Sequence, residues 1–479
     1  MSGGLRTIAR NTAFQAGGEV LTKLASLLFY VVMARELGAS GFGDYMFALS
    51  LVVLLTSLAG FGTDGLLTRE VARDREELHR LFWNSISLKL ALGPVMAGVA
   101  LVIAVLGDYS GAVRATVALL AAGNILELLS KTVAAAFLAH DDLRPVATGL
   151  IVQRFSTAAA GIAALWAGAG IVPIGVIYVG GAAAGLLYVA AALYRREIRP
   201  RREISVRRAR EVAARAVPFG LMLIFGTIIF RVDATILSLY KGPEAVGLYS
   251  AAYRALESCL FIPYAIESAM LPALSRLTRE TVPPVADVYG AGLKAIVAMM
   301  APLGVGFLVF GGEILELLYG AEYRAAEPAI HWLGGAAVLY GVSLLTCTLI
   351  VAQRGTKVLA WTIGAVMVFN VGLNLIVIPR FSLTGAAAVT TITESVQALV
   401  LLYVGWRMAG AVSPRRILAG PLAGGAAMAG VALALGTSAP AVVAAVLAYA
   451  VVALATERVL FPQDLARLTG AVRARLGRA

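Results

Sequence analysis

Ionisable side chains stand inside the longest apolar stretches of this 479-residue chain. Glu19 and Lys23 fall within 13–37, Glu127 and Lys131 within 112–138, and Arg231 and Asp233 within 217–240. Arg254 and Glu257 fall within 245–271, Lys294 within 288–311 and Glu394 within 384–406. A charge surrounded by hydrocarbon is costly, so such residues mark the path of an ion or charged solute, or pair to join helices. Lys23, Lys131, Arg231, Arg254 and Lys294 suit an anionic ligand, above all a phosphate, because lysine and arginine give charge-assisted donors. The carboxylates Glu19, Glu127, Asp233, Glu257 and Glu394 are suited to tuning those cations or to carrying a coupling proton or sodium ion.

Helical spacing gathers these residues onto faces. Thr12, Gln15, Glu19, Thr22, Lys23, Ser26 and Tyr30 fall within an arc of about 100°. Glu19 precedes Lys23 by four residues, the favourable order for a helical ion pair, and Glu127 and Lys131 repeat the device beside Asn124. Tyr249, Ser250, Tyr253, Arg254, Glu257, Tyr264, Glu267 and Ser268 span an arc of about 140°, with Pro263 expected to kink that helix. Stripes this polar predict a wet cavity. Arg231 and Asp233, two apart, point to nearly opposite sides and need separate partners. Asn370, Asn374, Thr390, Thr393, Glu394 and Gln397 add polar groups further on. Lys89 and Arg154 are further cations within spans, and each either belongs to the same path or, being close to a span end, snorkels to the interface.

Other chemistry lacks its residues. No G-x-x-x-x-G-K-[ST], H-E-x-x-H or G-x-S-x-G occurs. His79, His140 and His331 are scattered, so no metal site and no bound cofactor is expected. Asp141-Asp142 reads as a solvated turn, and Cys259 and Cys347 as small packing residues within apolar runs.

The elements that must hold these side chains are membrane helices. Hydrophobic residues make up 59% of the chain and charged ones 14%, too few charges to cover a water-soluble protein of this size. With about 20 apolar residues needed per crossing, the chain yields about fourteen spans. They are 13–37, 42–62, 83–107, 112–138, 146–167, 171–194, 217–240, 245–271, 288–311, 326–352, 358–378, 384–406, 417–436 and 438–459. The first lies behind Arg6 and Arg10 and is too long for a signal-peptide core, so it is expected to be retained. Arginines crowd alternate connectors, at 69–80, 195–215 and 407–416, and the C-terminal tail. The opposite side carries little beyond Lys241, Arg324 and Arg380. The positive-inside rule then puts both termini in the cytoplasm. The same loops explain the net charge of +12, so nucleic-acid binding is not expected.

A repeat divides the chain. Gly38, Gly43, Tyr45 and Ala48 return as Gly242, Gly247, Tyr249 and Ala252, all at an offset of 204. A weaker echo pairs 139–144 with 352–357 at an offset of 213. Six helices separate equivalent points, which makes the repeat parallel, about an axis along the membrane normal, with a transport site expected between the halves. The expected domains are a six-helix lobe over 1–205, a second over 206–410, and two further helices with a basic tail over 411–479. The Arg-rich segment 195–216 is expected to link the lobes.

These residues resemble a known family. Leu21–Leu28 through Ala34–Gly38, Gly43-Asp-Tyr45, Gly62-Thr-Asp-Gly65 and Thr68–Arg73 are similar to the opening of bacterial polysaccharide-export (Wzx-type, O-antigen) flippases. These belong to the multidrug/oligosaccharidyl-lipid/polysaccharide exporter superfamily. Arg231-Val-Asp233, Gly247–Tyr253, Leu271–Ser275, Asn370 to Asn374, Ile378-Pro379 and Gly385–Ala388 continue the resemblance, which covers roughly residues 5–408. It implies a two-lobed, V-shaped, all-α transporter moving undecaprenyl-diphosphate-linked oligosaccharides between leaflets, and not an enzyme. Lys23, Arg231 and Arg254 would then contact the diphosphate and Tyr249 and Tyr253 the sugar rings. Glycosyltransferases and a polysaccharide polymerase are the implied partners. The extra pair of helices is similar to that of the peptidoglycan-precursor (lipid II) flippase, which stays open as an alternative beside a drug or small-molecule antiporter. A membrane sugar polymerase would need a large external loop, and the longest outside loop, near 311–325, is short.

Overall fold

The computed structural model describes residues 2–140, 142–196, 200–201, 203–277, 280, 284–353 and 356–462. It describes side chains from residue 21 onward, apart from Pro218, Thr356 and Lys357. All regular structure among them is helical: α1 (Ser2–Gly60), α2 (Thr63–Arg73), α3 (Glu77–Leu106), α4 (Gly111–Leu138), α5 (Leu143–Trp166), α6 (Ile171–Arg195) and α7 (Val206–Cys259). There follow α8 (Phe261–Arg276), α9 (Val285–Tyr319), a 3-10 turn (Ala321–Ala326), α10 (Glu327–Ala352), α11 (Thr356–Ala409), α12 (Pro414–Leu435) and α13 (Ala439–Leu460).

Eleven stretches are long and apolar enough to cross a bilayer. Four of them carry a non-helical residue, α1 at Gly38, α7 at Gly242, α9 at Phe310 and α11 at Ser382. The breaks at Gly38, Gly242 and Ser382 leave a long helical segment on each side, which resolves the eleven into fourteen among the described residues, whereas only 311–319 follow Phe310 in α9. The chain is a polytopic all-α membrane protein. Apolar side chains point outward, with Trp361 and Leu433 more than four-fifths exposed, because the solvent at that surface is hydrocarbon.

The breaks have local causes. Gly38 and Gly242 take φ of 67° and 81°, a region that glycine enters without a Cβ clash. Between α7 and α8 the helix breaks at Leu260, three residues before Pro263, whose ring denies the backbone a donor.

The chain falls into two compact units. The first comprises residues 1–254, 318–323 and 363–386, and the second residues 255–317, 324–362 and 387–479. In the first, Leu66, Leu67, Val71, Leu81, Phe137 and Ala216 pack the short α2 against α3, α4 and the start of α7. In the second, Phe310, Met428, Ala445 and Tyr449 join α9, α12 and α13, and the Tyr449 hydroxyl donates to the Ala298 carbonyl at 2.7 Å.

The repeat is legible in the first unit. A Cβ on Gly43 would lie 1.8 Å from the Pro243 carbonyl oxygen, and one on Gly247 would lie 1.9 Å from the Ala39 oxygen. Adding 204 to Gly43 and Ala39 gives Gly247 and Pro243, so the contact is reciprocal, as across a two-fold axis. Equivalent turns therefore touch at one end of the bundle. Tyr45, Tyr249, Ala48 and Ala252 are all buried behind them.

One expectation changes. Residues 63–73 form a helix of their own where only a connector was expected. Within the Arg-rich segment 195–216, residues 206–216 are the first part of α7. Arg215 bonds Glu70 at 2.9 Å and Glu77 at 3.2 Å, and the Trp83 indole donates to the Pro200 carbonyl at 2.9 Å. The arginines there serve fixed contacts as well as topology. Asp141 and the tail arginines from Arg467 onward lie outside the described residues.

Candidate functional site

The first unit gathers a polar network inside its apolar helices. Glu127 of α4 is buried and accepts a hydrogen bond from Gln153 of α5, with the Arg154 guanidinium 3.7 Å away. Asn124, one turn earlier, accepts from Thr56 at 2.6 Å and faces the Tyr178 hydroxyl of α6 at 3.5 Å. The acid thus pairs across to α5 and not along α4. Lys131, expected as its helical partner, is exposed and lies within electrostatic reach of Lys89.

Arg154 shares this neighbourhood with Tyr30 and Arg254, and Tyr45 senses the same two arginines. The Arg254 guanidinium lies 4.0 Å above the Tyr30 ring, with Nη2 3.9 Å from the Met46 sulfur. Such stacking contributes about 0.5–2 kcal/mol. It fixes the guanidinium plane, and the donors of an arginine lie in that plane, in the fork that matches phosphate oxygens.

A slot beside Arg254 is lined by Ser50, Arg231, Asp233, Tyr249 and Tyr253 among others. Its cavity volume is about 10 Å³, the room of a single water. Asp233 is buried, accepts the Tyr249 hydroxyl and takes the Ala234 N–H at 2.7 Å, so its partner is a residue of the next helical segment. Tyr249 and Tyr253 stand with ring centres 5.6 Å apart. The Glu127 network and this slot together hold three arginines, Arg154, Arg231 and Arg254, and two carboxylates, Glu127 and Asp233. Lys23 is half-buried on α1. The Glu19 side chain lies outside the described residues.

Three expected site residues belong to the second unit. Lys294 forms an ion pair with Glu457 of α13, its ammonium 4.9 Å from the Phe461 ring centre. Glu257 is half-buried near the end of α7. Glu394 is buried beside Ser343 and Cys347 of α10, and its Oε2 has no hydrogen-bond partner among the described residues.

Lys89 does not snorkel. It is fully buried and held by Asp64 at 2.6 and 2.8 Å, the Leu128 carbonyl at 2.8 Å and the Thr132 hydroxyl at 2.7 Å. Sequence reasoning missed Asp64 as its partner, although Lys89 is a charge flanked by Leu88 and Leu90. It also left Arg154 undecided between the path and the interface. The signal for Arg154 was its place in an apolar span beside Gln153, but only the packing of α4 on α5 sets it against Glu127. The two cysteines are free thiols. No cluster of metal ligands occurs among the described residues.

The arrangement is that of a multi-helix membrane transporter fold. A lipid II flippase MurJ structure superposes with a TM-score of 0.78 at 14% identity, covering 94% of this chain and 99% of that one. An inward-facing multidrug resistance MATE transporter of the MOP superfamily gives 0.66 at 15% identity, over 81% and 94%. Residues 8–278 match the family described as polysaccharide biosynthesis protein, and the chain belongs to that family. Two Haloferax volcanii proteins are similar in sequence. The "probable low-salt glycan biosynthesis flippase Agl15" is 25% identical over 171 residues and the "probable flippase AglR" 27% over 176 residues. Each match covers 35% of this chain and 36% of the relative, so the chain spans about a third of the length of these curated relatives.

Proposed function

We propose that the chain is a flippase that carries a lipid-linked glycan from the inner to the outer leaflet for surface polysaccharide synthesis. The substrate on this reading is an undecaprenyl-diphosphate-linked oligosaccharide, with its isoprenoid tail left in the bilayer. The observation that carries the reading is the Arg254 guanidinium held flat over the Tyr30 ring, with Arg154 within electrostatic reach of both. A diphosphate brings at least two negative charges, and partly desolvated arginines offset the loss of its hydration. A site for a cationic drug would call for the opposite sign. The family assignment and the likeness to two Haloferax proteins named as flippases support the same reading.

Tyr249 and Tyr253 offer ring faces to the sugars, and Lys23 and Arg231 extend the phosphate site. Glu394, buried with one oxygen unpartnered among the described residues, is our candidate for a coupling proton, and Asp233 for a coupling ion. Both termini are placed in the cytoplasm by the arginine asymmetry.

The test is export of surface polysaccharide in a host lacking its own flippase, with membrane abundance checked by blot. Arg254→Gln should abolish export at normal abundance, and Arg254→Lys should retain part of it, because charge survives and the fork is lost. Full export by Arg254→Ala at normal abundance would remove Arg254 from the substrate path. Restoration of export by neutralising Arg254 and Glu257 together would reduce Arg254 to a counter-charge.

A further inference from the structure

Two tyrosines of the first unit cross the boundary of the repeat. Tyr109 lies in the turn between α3 and α4, and its hydroxyl shares a hydrogen bond with the Ser238 hydroxyl of α7 at 2.7 Å. Its ring stacks on Phe47, with centres 4.2 Å and planes 12° apart. Residues 318–323 also belong to the first unit, and there the Tyr323 hydroxyl donates to the Ala34 carbonyl of α1 at 3.0 Å. Its ring meets Phe42 edge-on, centres 6.4 Å apart. The Arg35 Nε donates to the Leu318 carbonyl of the same turn at 2.8 Å.

The two bonds obey the repeat. Adding 204 to Ala34 gives Ser238, and each of these stands four residues before the glycine that breaks its helix, Gly38 or Gly242. Adding 210 to Tyr109 gives Tyr319, one turn before Tyr323 with ring centres 5.5 Å apart. The turn after the third span of each half thus reaches the first span of the other half. The close backbone approaches of Gly43 to Pro243 and of Gly247 to Ala39 join the same two halves beside these bonds. Tyr323, Ala34 and Phe42 are fully buried, and Ser238 is buried while Tyr109 is half-buried. Parting the turns would admit water to groups that now bond one another.

We propose that Tyr109 and Tyr323 form a two-part latch that holds this end of the first unit shut, and that both bonds break each time the path opens there. The proposal rests on the transport reading above, in which the path opens to each face of the membrane in turn. The glycine approaches give the closed end its shape, and the hydroxyls set how firmly it holds. A tyrosine hydrogen bond suits that task, because its modest net worth lets the end close without trapping it. Removing a hydroxyl leaves the ring packing in place, so the open and closed populations shift while the fold is kept.

Thiol labelling reads the latch without any cargo. In the full chain with Cys259→Ala and Cys347→Ala, a Ser50→Cys reporter lines the slot beside Arg254, and an impermeant maleimide is applied to sealed vesicles from either side. A cysteine at exposed Asp108, in a separate chain, marks the side that the turns face. Tyr109→Phe with Tyr323→Phe should raise labelling of the reporter from that side about 30-fold, from roughly fivefold per hydrogen bond. Ser238→Ala should match Tyr109→Phe and add nothing to it, which separates the lost bond from a disturbed ring. Cysteines at Ala34 and Tyr323, joined by a reducible thiol crosslinker, should stop polysaccharide export until reductant is added. An unchanged labelling rate in the double phenylalanine variant would overturn the proposal. So would an equal rise from both sides, or export that continues in fully crosslinked protein. A chain that exports no polysaccharide yet shows the 30-fold rise would refute the proposed function and leave the latch standing.

Discussion

Asp64→Ala should destabilise the protein more than Lys89→Met, although the two side chains form one ion pair. The reason lies in their unequal exposure. Lys89 is fully buried, and its ammonium touches four oxygens between 2.6 and 2.8 Å. Removing Asp64 leaves that charge dry, with only the Leu128 carbonyl and the Thr132 hydroxyl to solvate it. Breaking a buried pair this way costs about 3–5 kcal/mol. Removing Lys89 leaves an aspartate that is 27% exposed, still hydrated on one side and bonded to Thr132 at 2.9 Å. The cost then is nearer the about 1–3 kcal/mol of an imperfectly satisfied polar group. The double variant Asp64→Ala, Lys89→Met leaves no buried charge and should recover most of the loss, giving a coupling energy of several kcal/mol. Thermal unfolding of the purified protein in detergent reads all four states, with membrane abundance as the cellular counterpart. Additive single effects would refute the reasoning, and so would Lys89→Met being the worse substitution.

Gly247→Ala and Gly43→Ala should each lower stability by about 1–3 kcal/mol or more, since the added Cβ meets backbone oxygen at 1.9 and 1.8 Å. Gly98→Ala, with nothing within 4 Å, is the control in the same melts. On the proposed function, Arg154→Gln should reduce polysaccharide export as strongly as Arg254→Gln at unchanged abundance; normal export would limit Arg154 to pairing Glu127. Lys294→Met should lower abundance by stranding Glu457, and Lys294→Met with Glu457→Leu should restore it; recovery of export with abundance would keep Lys294 out of the substrate path. Cysteines at Arg201 and Thr437 should label from opposite sides of sealed vesicles, and same-side labelling would sink the fourteen-span topology.

Much of the architecture followed from sequence because the bilayer is a demanding solvent. Lipid forces every backbone group to be satisfied within its own helix, so apolar run length alone located the spans. Thus 112–138 became Gly111–Leu138 and 171–194 became Ile171–Arg195. The repeat was also readable, since positive φ with ψ near 180°, as at Gly38 and Gly242, is open almost to glycine alone, and a fixed offset of 204 carried Tyr45 onto Tyr249. Sequence also put charges inside spans, but it could pair them only along a single helix. Partners across helices are set by which faces meet, and no local spacing encodes that. Glu127 finds Gln153 and Arg154 and not Lys131, Lys89 finds Asp64, and Lys294 finds Glu457 far along the chain. The short α2 escaped notice because its amphipathic eleven residues carry too little apolar length to register as a span. The stacking of Arg254 on Tyr30 exists only once separate helices pack. Burial length is a one-dimensional property and was fixed by the sequence pattern; the company each charge keeps is three-dimensional and was decided by tertiary packing.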